Sequence, residues 1–453
     1  MKWLLRSIKN LRNKKRNDYK MKLSNYNVFS LNSRLMFNTK TKGLAVLNEK
    51  DYIALTHTSP NLSQLKSEFI AELYEQEFIV DDDRDELSEI KYCYWKEKFE
   101  RNVLHLTIMP TLRCNFNCIY CFEEHQEIDM DMVSIKRVQN MVKNLIRKGY
   151  KKLTVDWYGG EPLLNLTCIK ELSEYFIKLC DKLGIMYTAS ITTNGYAFTP
   201  SVQNELFALK VVDAQLTIDG DKETHDKRRA CLSGEGSYDV IKYNLENSHP
   251  DIAISVRVNV DKNNVSSLNS ILDLLEKLGR NNTDVYACIV TPSLQGTYEV
   301  GTYGTLMSSI IDFYNFATSS HLKVSRTHCM ITDQYAACIV DSDSHYIISP
   351  DCKIYKCGES YNEADPGKVG LISEDGSLSL DLSQIAKWTK DPFAIQECKE
   401  CKFLPICMGG CVMKRLTRME NNCSWEFKDR PHEMVELLYM VVQRGTEKQE
   451  SHQ

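Results

Sequence analysis

From residue 103 onward the chain alternates short β-rich runs with amphipathic helical stretches, and this alternation limits the fold more than any single residue does. Strands are predicted to begin near Val103, Leu153, Ile185, Val211, Ile252 and Val285. Between them lie helical patterns. In the one from Ile169 to Leu183, Leu172, Phe176, Leu179 and Leu183 recur three or four residues apart, and Gly184 follows as a C-cap. A helix over 131–148 ends at Gly149, and Pro200 opens another, where its missing N–H is harmless. Six such units favour parallel strands with helices outside, because parallel neighbours need long crossovers. Six are too few for a closed eight-stranded barrel. The expected fold is therefore α/β, a partial (β/α)6 TIM-like barrel with its functional groups at the C-terminal ends of the strands.

The loop after the first strand reads Arg-Cys-Asn-Phe-Asn-Cys-Ile-Tyr-Cys-Phe-Glu and carries Cys114, Cys118 and Cys121. C-x3-C-x2-C offers three thiolates to one small object and leaves a fourth position empty. A structural zinc site wants four closed ligands. A [4Fe–4S] cluster held by three cysteines instead keeps one iron open to a further ligand.

Cysteine usage extends this reading. The 453 residues contain 17 cysteines, nine of them between Cys329 and Cys423, where even scatter would put about four. No export signal or membrane-length apolar run is evident, so these thiols suit metal ligation in reducing cytoplasm rather than disulfides. A formal net charge of −5 gives no electrostatic reason to expect nucleic acid as a partner. The first twenty residues do carry eight Lys or Arg and one acid, Asp18. This basic arm over 1–22 reads as a disordered tail or an over-extended start, Met21 being a second initiation site, with contact to a membrane surface or acidic partner as the other reading.

The cysteine loop and its surroundings resemble the radical S-adenosylmethionine (SAM) enzymes. In that family the open iron chelates SAM, and one electron cleaves it to a 5′-deoxyadenosyl radical that abstracts a substrate hydrogen. The resemblance places Tyr120, before the third cysteine, against the adenine. It implies that Gly159, Gly160 and Glu161, in the run Trp-Tyr-Gly-Gly-Glu-Pro after the second strand, bind the methionine ammonium group. The third strand ends in Thr-Thr-Asn-Gly (192–195), also a family run. Thr217, in Leu-Thr-Ile-Asp-Gly, fills a hydroxyl position facing the ribose or methionine, and Arg229 a position near the cofactor carboxylate. Arg257, Asn259 and Asn264 match a family pattern of less defined role, and Asp219 and His225 read equally well as turn and helix caps.

The C-terminal third, 326–430, resembles the SPASM extension, which holds two auxiliary [4Fe–4S] clusters. Position-by-position transfer gives Cys329, Cys338, Cys357 and Cys411 to the first and Cys398, Cys401, Cys407 and Cys423 to the second. Cys352 stands where the family has glycine, which leaves open whether Cys329 or Cys352 completes the first cluster. A zinc ribbon of Cys398, Cys401, Cys407 and Cys411 is the plainer alternative. Cys93, Cys168, Cys180, Cys231 and Cys288 read as core residues.

Residues 23–98, ahead of the barrel module at 99–325, show β-like runs at Asn27–Leu31 and Arg34–Phe37. Helical stretches follow around Asp51 and Leu62–Gln76, then a strand at 77–80. The order resembles the small winged-helix-like elements with which peptide maturases grip a precursor's leader; a structural lid or a dimerisation surface is the alternative. Residues 431–453 are expected to form a C-terminal helix and tail. The resemblance implies a radical SAM/SPASM oxidoreductase that cross-links a ribosomally made precursor peptide carrying a leader. The bond would be a thioether, otherwise C–C or C–O, and flavodoxin or ferredoxin would supply electrons. Two alternatives stand beside it. One is a sulfatase-maturase-like enzyme making formylglycine, a subgroup with aspartate after the cysteine matching Cys357, where this chain has Gly358. The other is a non-catalytic iron–sulfur redox sensor or scaffold.

Overall fold

The computed structural model describes residues 20–418 except 32, 58–59, 124, 281, 291–297, 321, 325–337 and 359–366, together with His432 and Val435. The basic arm up to residue 19, Cys329, Cys423 and nearly all of the C-terminal tail lie outside the described residues. The chain divides into two compact units. One gathers the described part of Met1–Tyr94 with Pro392–Gly409, and the other is built on Trp95–Asp391 and continues from Gly410.

The first unit is a small α+β body. It comprises β1 (Met21–Leu23), β2 (Asn27–Phe29), β3 (Leu35–Asn38), β4 (Leu44–Val46), α1 (Glu49–Thr56), α2 (Ser67–Glu75), β5 (Ile79–Asp81) and the start of α3 (Glu86–Lys98). Strands β2, β3 and β4 form an antiparallel sheet, and β1 pairs with β5 so that Met21 faces Asp81. Met21 and Lys22, grouped by sequence with the basic arm, are thus part of a strand. The connection between β3 and β4 turns on Asn38, whose side chain accepts from the backbone N–H groups of Lys40 and Thr41 at 2.9 and 3.0 Å. Asn48 caps α1 by accepting from Asp51 N. Met36, Leu47, Ala54, Leu55, Leu65, Leu73, Phe78 and Ile79 form the core. The segment Pro392–Gly409 attaches through Phe393, edge-on to Tyr94, and through Lys402, whose carbonyl accepts from Thr39 Oγ1.

The second unit holds the predicted alternation. Its elements are β6 (Val103–Ile108), α4 (Met132–Ile146), β7 (Lys152–Trp157), α5 (Leu166–Leu183), β8 (Met186–Thr193), α6 (Pro200–Ala208) and β9 (Val211–Thr217). Then come α7 (Lys222–Arg228), α8 (Tyr238–Glu246), β10 (Ala253–Val260), α9 (Leu268–Leu278), β11 (Thr283–Ile289), α10 (Tyr303–Ser319) and β12 (Lys323–Val324). Strands β6 to β12 are parallel and adjacent in chain order, as right-handed strand–helix–strand repetition produces. All six predicted strand starts fall within two residues of the observed ones. Local chemistry fixes the helix ends. Asp131 and Asn165 cap α4 and α5, Thr199 caps α6 with Pro200 in its first turn, and Gly184 and Gly279 end α5 and α9 in the left-handed region.

Beyond β6 the sheet continues with strands from much later in the chain: β13 (His345–Ile348), β14 (Lys353–Tyr355), β15 (Lys368–Ile372) and β16 (Leu378–Leu380). Strand β13 is parallel to β6, with His345 opposite His105, and β14, β15 and β16 follow as an antiparallel meander. Short helices close the described chain: α11 (Leu382–Trp388), α12 (Gln396–Lys399), α13 (Leu404–Cys407) and α14 (Val412–Arg418). Along β6, β7 and β10 one face is sealed. Leu104, Leu106 and Ile108 on β6, Leu153, Val155 and Trp157 on β7, and Ile254, Val256 and Val258 on β10 are all at most 1% exposed. The alternate residues (His105, Thr107, Asp156, Arg257) occupy the other face, as the two-residue period of a strand requires. This lumen is polar. Among the described residues no helix is long and apolar enough to cross a membrane.

Candidate active site

Five loops meet at the C-terminal ends of β6 to β10. The first, after β6, carries Cys114, Cys118 and Cys121; the first two are half-buried and the third exposed. This loop is braced by its neighbours. Asn117 N and Ile119 N donate to the carbonyls of Ala230 and Arg228 at 2.9 and 3.1 Å, and Leu232 N donates to Asn115 O. Phe116 and Cys231 form an antiparallel bridge. The segment after α7 therefore serves as a backbone splint for the cysteines.

The second loop supplies Gly159 and Gly160. A Cβ on Gly160 would lie 2.2 Å from the Arg113 carbonyl oxygen, and one on Gly159 2.4 Å from that of Thr111. Gly160 N and Glu161 N donate to those same two carbonyls, Thr111 and Arg113, at 3.3 and 2.8 Å. The approach that excludes a side chain here is to the chain's own backbone, immediately ahead of Cys114. Gly160→Ala is accordingly expected to destabilise the protein by about 1–3 kcal/mol and to lower iron incorporation, measurable as a fall in melting temperature and in iron per chain.

Glu161 is fully buried and already engaged. Its Oε1 accepts from Leu163 N and Thr193 Oγ1 at 3.1 and 2.8 Å, and its Oε2 from Asn194 N at 2.7 Å. Burial raises its pKa against the effect of these donors. Asn194 in turn donates to Asn115 Oδ1 at 2.7 Å, tying the third loop to the cysteine loop.

At the fourth and fifth loops a buried network surrounds Tyr120. Its hydroxyl donates to Asp219 Oδ2 and accepts from Arg229 at 2.8 Å and from Asn259 Nδ2 at 3.1 Å. The Arg228 guanidinium lies 4.9 Å over the Tyr120 ring and pairs with Asp261 at 2.6 Å and Asp219 at 3.5 Å. Arg229 lies over the Phe116 ring, and its buried Nε has no hydrogen-bond partner among the described residues. Burial alone would depress the pKa of Arg229, but Tyr120, Cys118 and Asp219 outweigh it and hold it above the ordinary arginine range. Thr217, 7% exposed, ends β9 directly opposite Arg257 of β10. The structure thus brings together Cys114, Cys118, Cys121, Tyr120, Gly159, Gly160, Glu161, Thr217 and Arg229 at one end of one sheet.

Three residues here were missed. Asp219, read as a turn cap, is instead the centre of the network: its Oδ1 accepts from Asn259 N at 2.9 Å, while Asp221 caps α7. His225 is buried, accepting from Asp219 N at its Nδ1, and burial holds its pKa well below the usual value. His125, 3.7 Å by Nε2 from Cys121 Sγ, was not singled out either. Its only signal is a spacing of four from the third cysteine.

The donor set fits an iron–sulfur cluster. Burial pushes the Cys114 thiol up to about 12 and also raises Cys118; a bound cation opposes this shift and takes the thiolate as ligand. Among the described residues no three His, Cys, Asp or Glu side chains are gathered closely enough to hold a single metal ion.

The C-terminal cysteines are distributed over both units. Cys398, Cys401 and Cys407 belong to the first, where Phe403 N donates to Cys401 Sγ at 3.4 Å. In the second, Cys338 is exposed and Cys357 half-buried, its Sγ 3.9 Å from Met413 Sδ, two residues beyond Cys411. Cys352 points elsewhere. Its thiol donates to Ser134 O of α4 at 3.6 Å, and its φ of 65° is the left-handed conformation that glycine adopts without strain.

A three-cysteine loop at the mouth of an open parallel α/β barrel defines a class of enzyme built around an iron–sulfur centre. A sequence profile of the radical SAM superfamily matches residues 108–275. The chain is 30% identical over 337 residues to the mycofactocin maturase MftC of Mycolicibacterium smegmatis, a match covering 70% of this chain and 80% of that one. It is 23% identical over 331 residues to a cysteine-type anaerobic sulfatase-maturating enzyme of Clostridium novyi, covering 68% of this chain and 87% of that one. Among solved structures, native anSMEcpe with bound AdoMet and Cp18Cys peptide superposes with a TM-score of 0.60 at 18% identity, over 78% of this chain and all of that chain. The protein belongs to the radical SAM superfamily. It is a radical SAM enzyme, and the family implies one [4Fe–4S] cluster and S-adenosylmethionine.

Proposed function

We propose that the protein is a radical SAM/SPASM maturase that cross-links a ribosomally made precursor peptide, most plainly by a thioether and otherwise by a C–C or C–O bond. The observation that carries this reading is the braced three-cysteine loop on the barrel mouth, taken with the similarity to MftC. When bound, the cluster and S-adenosylmethionine supply the hydrogen-abstracting radical. The chain's residues do the rest. Cys114, Cys118 and Cys121 hold the cluster. The backbone at Gly159 and Gly160, set in place by Glu161, accepts the cofactor's ammonium group. Thr217 faces its ribose or methionine, and Arg229, whose Nε has no hydrogen-bond partner among the described residues, takes its carboxylate. Tyr120 orients Arg229 through its hydroxyl, and its ring borders the adenine. The surrounding protein positions the peptide and excludes water.

For the auxiliary clusters we assign Cys329, Cys338, Cys357 and Cys411 to one and Cys398, Cys401, Cys407 and Cys423 to the other. The contact of Cys352 with Ser134 supports leaving it out. Cys352→Gly is then expected to keep the full iron content of the anaerobically purified protein; a loss of about one cluster's worth of iron would make Cys352 a ligand. The small α+β unit suits a peptide leader, whose extended backbone adds to an exposed strand edge such as β4. A flavodoxin or ferredoxin of the reducing cytoplasm would deliver the electron.

The second reading, formylglycine formation, is favoured by the sulfatase-maturating relative. The position that holds aspartate in that subgroup is Gly358 here, directly after Cys357, and carries no carboxylate. The test is anaerobic incubation of the reconstituted, dithionite-reduced enzyme with SAM and short peptides encoded beside its gene. 5′-Deoxyadenosine together with a peptide lighter by one H2 is the expected result. An aldehyde on a sulfatase-type peptide would move the protein to the second reading. Clusters without any SAM cleavage would make it a redox sensor or scaffold.

A further inference from the structure

Among the described residues, Arg257 on the inner face of the barrel forms no ion pair. Arg257 lies on β10 between Thr217 of β9 and Tyr286 of β11, its direct partners in register. Its Nε donates to Asn259 Oδ1 at 2.7 Å, and its guanidinium carbon is 6.0 Å from the centre of the Tyr286 ring. Burial works to lower its pKa, and the neighbouring Cys288, Tyr286 and Tyr158, a thiol and two phenols, outweigh that and hold it above the ordinary arginine range. Among the described residues no aspartate or glutamate forms an ion pair with it, whereas the more deeply buried Arg228 has two.

A half-buried guanidinium is stabilised by a paired anion or a full set of acceptors. Arg257 has five N–H donors, of which Asn259 and Tyr286 can take only part. Its planar fork matches a carboxylate in bidentate geometry. It sits two residues before Asn259, which contacts Tyr120, and so lies just inside the residues assigned above to the cofactor.

We propose that Arg257 is a specificity-determining residue that captures a carboxylate of the substrate, either an acidic side chain or a chain terminus, and so sets which carbon is presented to the radical. The proposal deepens the peptide reading and rests on it. A peptide carrying an acidic residue near its modified position is the substrate class that follows.

The test measures binding without turnover, using the anaerobically reconstituted full chain loaded with SAM. The calorimetric probes are N-acetylglutamate N-methylamide for the side chain, N-acetylalanine for the terminus, and N-acetylglutamine N-methylamide as the uncharged counterpart. At least one carboxylate probe is expected to bind about tenfold or more tighter than the glutamine counterpart. Arg257→Gln should erase that preference and Arg257→Lys should keep part of it, while the SAM-induced change in the cluster's EPR spectrum persists in both. Equal binding of all probes to the wild type, or a preference surviving in Arg257→Gln, overturns the proposal. Loss of the SAM-induced EPR change would give Arg257 to the cofactor and overturn it equally. Failure to modify any peptide counts against the maturase reading alone.

Discussion

Replacing Cys114, Cys118 and Cys121 together with alanine is expected to abolish 5′-deoxyadenosine formation and all peptide modification, while the fold survives. The loop's backbone is held by bonds to Ala230, Arg228 and Leu232 that involve no cysteine side chain, so the thiols are needed for the inorganic centre rather than for the chain. The check is anaerobic turnover assayed beside circular dichroism. The variant should match the wild type in secondary structure, lose the iron–sulfur absorption belonging to one cluster, and make no product. Undiminished modification by the triple variant would remove the basis of the functional reading.

The second large effect is on stability. Arg228 is buried between Asp219 and Asp261, both fully inaccessible. Arg228→Met leaves two carboxylates buried without their cation. Breaking a buried ion pair from one side costs about 3–5 kcal/mol, a large part of the 5–15 kcal/mol that holds a typical domain together. Denaturant unfolding of the barrel should show this loss, and adding Asp261→Asn to the same chain should recover part of it. A variant as stable as the wild type would mean that solvent reaches the network. The same substitution removes the cation over the Tyr120 ring, so SAM affinity is expected to fall with stability.

Much of this architecture was legible in the sequence because it is written in short-range pattern. The strand starts at Val103 and Val211 follow from alternation, and the helix from Leu166 to Leu183 from its apolar spacing and Gly184. The cysteine loop is a contiguous motif. What escaped notice depends on distant residues meeting. Strand β13 joins the sheet beside β6 although 236 residues separate its end at Ile348 from Leu112 of the loop that β6 opens, and no local signal announces such a partner. Asp219 stands in an Asp-Gly pair, which ordinarily means a turn; only folding brings Tyr120, Asn259 and Arg228 to its carboxylate. The place of Cys352 could not be read from the sequence, because composition records a thiol but not a backbone angle. Its left-handed φ and its bond to Ser134 belong to a turn. Gly160 misled in a milder way: glycine signalled close approach correctly, but not what approaches.

The interlock of Gly159 and Gly160 with Thr111 and Arg113 makes the loops after β6 and β7 one mechanical piece. A shift of the segment after β7 is passed through main-chain hydrogen bonds to the residues just ahead of Cys114, so a substitution that touches no thiol can still displace the cysteine loop.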